Sequence, residues 1–175
     1  MKKTFIFWIM FFLVITNVVF ISTTMWYKTK LDKQEFKVYS FQGESTDIRI
    51  TDGLIIMSPN KHIVSGGNIQ YIGGKEEQIE SYSESIYLYK EGYKDVVLLK
   101  TVSMEMDNKG TSLSDELLLN KSLGEMSSQV LFSEDDTEII KDNLYFNLNY
   151  LKDDGQMGSF IVKLNVKEIN MNENK

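Results

Sequence analysis

From Thr4 to Tyr27 the chain carries no charge, and from Phe5 to Ile15 every residue is apolar. As a helix, these residues rise roughly 36 Å at about 1.5 Å each, enough to cross a hydrocarbon core of about 30 Å with some tilt. Lys2 and Lys3 precede the run, Lys28 and Lys30 follow it, and Trp26 and Tyr27 stand at its far end, where amphipathic rings favour a membrane interface. The pattern predicts a transmembrane anchor or uncleaved signal over residues 1–27, contacting the membrane through residues 4–27. A cleaved signal peptide ends in small residues, whereas here Ser22 and Thr24 run into Met25, Trp26 and Tyr27. A short basic head before an apolar run is the layout of an export signal. A single-pass protein of the cell membrane is expected, with its C-terminal domain extracytoplasmic.

Beyond a polar stalk over 28–35 the periodicity changes to that of strands. Phe36, Val38 and Tyr39–Phe41 open the domain, and Ile48 and Ile50 alternate with Asp47, Arg49 and Thr51. Asp52-Gly53 predicts a tight turn, with Leu54–Met57 as the returning strand and Pro59-Asn60 ending it. Further strands are predicted around Ile69 and Tyr71, at Ile86–Tyr89, over Val96–Met106, and at Val130–Phe132. Another follows at Leu144, Phe146, Leu148 and Tyr150, before a turn at Asp153-Asp154-Gly155. In the last, Phe160–Val166, the adjacent Ile161 and Val162 predict a bulge or burial on both faces. Residues 112–124 fit either a helix capped by Ser112 or Ser114 or a strand through Leu117–Leu119. The expectation is a mainly β protein: an antiparallel, immunoglobulin-like β-sandwich of seven to nine strands over 36–169, after one N-terminal helix. A disordered tail is expected over 170–175.

Charge and composition narrow the function. Residues 1–35 carry five Lys against Asp32 and Glu35, a net +3, whereas residues 36–175 carry fourteen basic and twenty-three acidic groups, a net −9. Arg49 is the one Arg in the chain. A body so acidic lacks the clustered cations that a phosphate backbone needs, so nucleic acid is not expected as a partner. The absence of Cys removes disulfides, zinc thiolates, a Cys nucleophile and lipidation on Cys.

Phe41-Gln42-Gly43-Glu44-Ser45 and Tyr71-Ile72-Gly73 resemble motifs of small exported, lipoprotein-like or membrane-anchored proteins of Bacillus-like bacteria. Such domains often open with an aromatic residue before Gly-Glu-Ser and end an early strand on aromatic-x-Gly. Here Asp47 and Ile48 replace the aromatic residue that commonly follows, and the lipid-bearing Cys is absent, so the apolar helix would have to anchor the chain. The resemblance implies an exported sandwich and brings no activity with it.

Little catalytic chemistry is legible. The single His, His62, stands beside Pro59, Asn60 and Lys61 and reads as an exposed loop residue; a triad or zinc site needs partners it does not have. Glu134-Asp135-Asp136 with Glu138, and Asp153-Asp154-Gly155, have the oxygen chemistry for Ca2+ but not its alternating spacing, and read as solvated turn acids. Gly66-Gly67 and Gly73-Gly74 lack the Lys-Ser/Thr of a phosphate loop. No cofactor, metal or catalytic residue is therefore expected. Tyr71, Tyr82, Tyr87, Tyr89 and Tyr93 are dense enough to weigh two readings. One is core or cross-strand packing; the other is an aromatic binding face of Tyr71, Tyr87 and Tyr89, presented to sugar rings or peptide. The expected role is a binding or accessory domain at the bacterial cell envelope, contacting an envelope protein or wall polymer without catalysis. The alternatives are a metal-assisted hydrolase using the acidic loops, and a regulatory subunit recognised through its transmembrane helix.

Overall fold

A computed structural model of the chain describes residues 2–32, 36–74, 78–103, 111–113, 121–133 and 135–169. It divides into two units at Glu35/Phe36. The first is one helix, α1 (Lys2–Asp32). Its apolar residues cover every face, and none of Phe5–Thr29 is buried. Hydroxyl and amide side chains along it are turned back onto its own carbonyls. Thr16 Oγ1 donates to Leu13 O (2.9 Å), Asn17 Nδ2 to Leu13 O (2.7 Å) and Ser22 Oγ to Val18 O (2.8 Å). These bonds lower the cost of placing polar groups in hydrocarbon. Phe5–Thr29 is thus long and apolar enough to span a membrane. The helix continues through Asp32, so the first part of the expected stalk is helical.

The second unit is mainly β, two antiparallel sheets facing each other as a sandwich. Among the described residues, the first sheet has the order β12–β1–β2–β3–β9, from β12 (Asn165–Glu168), β1 (Lys37–Glu44), β2 (Ile48–Ser58), β3 (Lys61–Ser65) and β9 (Glu125–Ser128). β4 (Asn68–Tyr71) lies beside the first half of β2, and β8 (Lys121–Ser122) beside β4. The second sheet runs β11–β10–β5–β6, from β11 (Met157–Lys163), β10 (Leu144–Lys152), β5 (Gln78–Lys90) and β6 (Tyr93–Ser103), with β7 (Thr111–Ser112) at the start of β5. β11 passes into β12 through Leu164 alone, so one stretch of chain crosses between the sheets. Of 112–124, the ends are β7 and β8, and 114–120 lie outside the described residues. So does the tail 170–175.

Parity sets the core. Leu144, Phe146, Leu148 and Tyr150 point inward from β10 as their alternation requires, opposite Tyr39, Phe41, Ile48 and Ile55 of the first sheet. Three local expectations are corrected. Ile161 is exposed and Val162 buried, so alternation simply continues through Leu164 and Val166. Val130–Phe132 is not a strand, because the Leu131 and Phe132 N–H groups both go to the His62 ring. Asp52-Gly53 does not turn the chain: β2 runs straight through it. Asp52 adopts φ 60°, and Thr51 and Asp52 together oppose Gln42 of β1, which makes the site a bulge. Past it, β2 changes partner from β4 to β3.

Gly53 is required there because the buried Phe41 ring occupies the space of any Cβ. Gly53→Ala is expected to cost about 2 kcal/mol by overpacking, read as a lower denaturant midpoint at unchanged slope. Gly74→Ala, whose methyl meets nothing within 4 Å, is the control that should leave the midpoint in place.

Besides the strands β3 and β9, a helix went unread in the sequence. α2 (Asp136–Asn143) packs against β5, β10 and β12, burying Ile140. It has no side-chain cap at Asp135; instead Asp136 Oδ2 accepts the Ser133 N–H at 2.7 Å.

Candidate functional site

The three tyrosines of the expected aromatic face are not brought together. Tyr71 lies on β4 in the core, 6.3 Å from Phe160, whose ring stacks on Tyr150. Tyr87 and Tyr89 are on β5, in the other sheet. Tyr87 is buried, its ring stacked on Tyr145 (centroids 5.6 Å apart, 15° between planes) with Lys94 Nζ 4.7 Å away. Burial pushes its phenol above the ordinary value, and the neighbouring tyrosines add to this. The flat ring face that a sugar would stack on is therefore taken, and of the three only Tyr89, 44% exposed, is open. The packing reading holds for Tyr71 and Tyr87.

The surface that Tyr87 helps to build is nevertheless unusual. With Tyr82, Ile86 and Leu88 inward, the odd positions of β5 from Ser81 to Tyr89 face out, as do those of β10. Register sets one cross-strand row as Val96, Tyr87, Tyr145 and Lys163, and the next as Leu99, Ser85, Asn147 and Ile161. In that second row the middle is small, polar and buried, and the flanks are apolar and open: Leu99 is 58% and Ile161 55% exposed, with Val96 at 49% beside them. Asn147 Oδ1 is buried with no hydrogen-bond partner. Sequence reading missed this face, though its signal was there in Ser81, Ser83 and Ser85 alternating with core residues, and in Asn147 and Asn149 doing the same.

A concavity of about 450 Å3 lies where β1 and β2 meet β11 and β12, lined by Gln42, Glu44, Arg49, Thr51, Lys163 and Asn165. Arg49 holds Glu44 through two bonds, Nε–Oε2 at 2.8 Å and Nη2–Oε1 at 3.2 Å. That pairing keeps the Glu44 carboxyl below its ordinary value and engages the one guanidinium in the chain.

The remaining candidates have structural partners. His62 is not in a loop: it lies half-buried on β3, and Nδ1 accepts N–H groups from Leu131 (3.1 Å) and Phe132 (3.2 Å). Asp136 is tied to Lys90, Glu138 pairs with Lys141, and Asp154 Oδ1 accepts the Gln156 N–H in its turn. Glu134 lies outside the described residues. Among the described residues no three His, Asp or Glu converge as a metal would require. One acid that sequence reading passed over is fully buried. Glu84 points between the sheets, its Oε2 3.3 Å from Lys100 Nζ. Burial raises its carboxyl, opposed by Lys100 and then Lys121. Lys100 also donates to Ser122 O at 2.8 Å, so it joins β6 to β8 of the first sheet.

No family model, curated protein or solved structure matches this chain.

Proposed function

We propose that this is a single-pass membrane protein whose sandwich lies outside the cytoplasm and serves as a binding or accessory domain at the bacterial cell envelope, without a catalytic step. The observation that carries the reading is the outer face of the second sheet, where Leu99, Val96 and Ile161 stand exposed around Ser85 and Asn147. Exposed apolar side chains grouped on a flat sheet mark a docking surface better than scattered ones do. The partner is a folded protein. A body of net −9 repels an anionic wall polymer, and the covered Tyr87 ring does not offer the platform a neutral glycan needs. The helix confines encounters to the membrane plane and raises the effective concentration of a partner anchored there.

The test is a photo-crosslinking residue at Leu99 or Ile161 in intact cells, with Lys167, exposed on β12, as the control site. A discrete adduct with one membrane protein from the first two sites, absent from the third and lost when Val96→Asp is added, is the expected result. It should survive exchange of residues 4–27 for a generic apolar helix. Adducts that vanish with the helix exchange would move recognition to the transmembrane segment. Equal labelling from all three sites, or resistance of the domain to protease added outside intact cells, overturns the reading.

A further inference from the structure

We propose that His62 is a proton-operated latch that holds the segment between β9 and α2 against the first sheet. The geometry is specific. A neutral imidazole has one acceptor nitrogen, and here that nitrogen, Nδ1, receives two backbone N–H groups, from Leu131 and Phe132. The ring also stacks on Phe132, 6.1 Å between centroids. Phe132 is only 3% exposed and belongs to the core, with Leu131 packed against it. The imidazole thus stands in for a strand: two donors that would otherwise be orphaned beside the sheet edge are satisfied by one side chain.

Protonation reverses the arrangement. In the imidazolium both nitrogens donate, so an N–H would point at two N–H groups and both bonds would be lost. Nothing charged compensates among the described residues. The register partners of His62 are Met57 on β2 and Ser128 on β9. Lys61 beside it on β3 and Glu125 on β9 are exposed, and Asp136 at the far end of the segment is taken up by Lys90 and Ser133. Burial is the influence that moves the ring, and it holds His62 below its ordinary value of 6.5. The latch is therefore closed at neutral pH, and its contribution is lost as pH falls below that value. The pivot is the helix end: Asp136, held by Lys90, keeps Ser133 and α2 in place when His62 lets go, so residues 129–132 lift and uncover Phe132.

Amide exchange and NMR titration of the full chain in detergent micelles test this. After correction for intrinsic rates, exchange at Leu131 and Phe132 should rise at least about tenfold between pH 7.5 and 5, the scale set by two lost hydrogen bonds. Their amide shifts should titrate with the same midpoint as the His62 ring, while Phe146 and Leu148 in the core stay protected. His62→Gln, which accepts without titrating, should lose the pH dependence. Amides that stay protected while the ring titrates, or a rise shared equally by Phe146 and Leu148, overturn the proposal. So does a pH response that persists in His62→Gln.

Discussion

Lys100→Met is expected to cost about 3 kcal/mol of folding stability near neutral pH, and Glu84→Gln in the same chain to recover about half of it. The reason is the position of Glu84, 0% exposed between the sheets, with Lys100 Nζ 3.3 Å away. Removing one partner of a buried ion pair leaves an uncompensated charge, which costs far more than the pair contributes while intact. Neither carboxylate oxygen gains a hydrogen bond, so the lysine is most of what makes ionised Glu84 tolerable there. Lys121, whose ammonium lies 5.5 Å from the Tyr82 ring centre, helps at longer range. Losing Lys100 also removes its bond to Ser122 O, a neutral-acceptor contribution of about 1–2 kcal/mol that the Gln substitution would not restore.

The pH dependence separates these terms. Burial raises the Glu84 carboxyl above its ordinary value of 4.5. The folded state thus binds this proton more readily than the unfolded chain. Stability from this group rises as pH falls through the folded-state value and levels off below 4.5. Glu84→Gln alone should change stability little at neutral pH and flatten that slope. His62 acts in the opposite sense from 6.5 downward, so the two variants should tilt the profile in opposite directions. Chemical denaturation between pH 4.5 and 8 measures both. A Lys100→Met penalty no larger at pH 8 than at pH 4.5 would mean that Glu84 is already protonated in the folded protein, leaving only the lost Ser122 bond.

The strands that were legible in the sequence are those where burial alternates without interruption, as in Leu144 to Tyr150. Parity there decides both element and face. What escaped depends on partners distant in the chain. Asp52-Gly53 has the composition of a hairpin turn, but β1 pairs with β2 on both sides of it while the other edge passes from β4 to β3, and a bulge satisfies the same positive φ with less loss of pairing. α2 is too short for its period to register, and its start depends on Lys90 on a distant strand. The aromatic face failed for a related reason: Tyr87 and Tyr89 share strand parity, yet Tyr145 from β10 covers only the first. Glu84 was readable in principle. Once Tyr82, Ile86 and Leu88 face inward, the residue between them must do so too, and an acid at an apolar position is the anomaly to follow.

Lys90→Met is the second substitution expected to cost about 3 kcal/mol, and its effect should be located at α2. Lys90 ends β5 and places its ammonium 2.9 Å from Asp95 Oδ2 on β6 and 3.0 Å from Asp136 Oδ1 at the helix start. Asp95 is partly exposed and can be hydrated when the cation goes; Asp136, 3% exposed, cannot. The Asp136 carboxylate has two tasks, since Oδ2 also accepts the Ser133 N–H. Burial works to raise Asp136, but Ser133 and Lys90 together outweigh it and hold the carboxyl below its ordinary 3.8. Its contribution is thus present above that value and lost as pH falls below it. In Lys90→Met the balance tips toward burial, the carboxyl rises, and the penalty against the parent should shrink as pH is lowered toward 4. Asp136→Asn added to Lys90→Met should return part of the stability, because the amide oxygen can still cap Ser133 while no buried charge remains. Amide exchange places the damage: Ile139 and Ile140 should lose protection first, with β10 following only at the global limit. A loss spread evenly over both sheets would show that Lys90 matters for the β5–β6 hairpin rather than for holding the helix, and a change under about 1 kcal/mol would show that water reaches Asp136 after all.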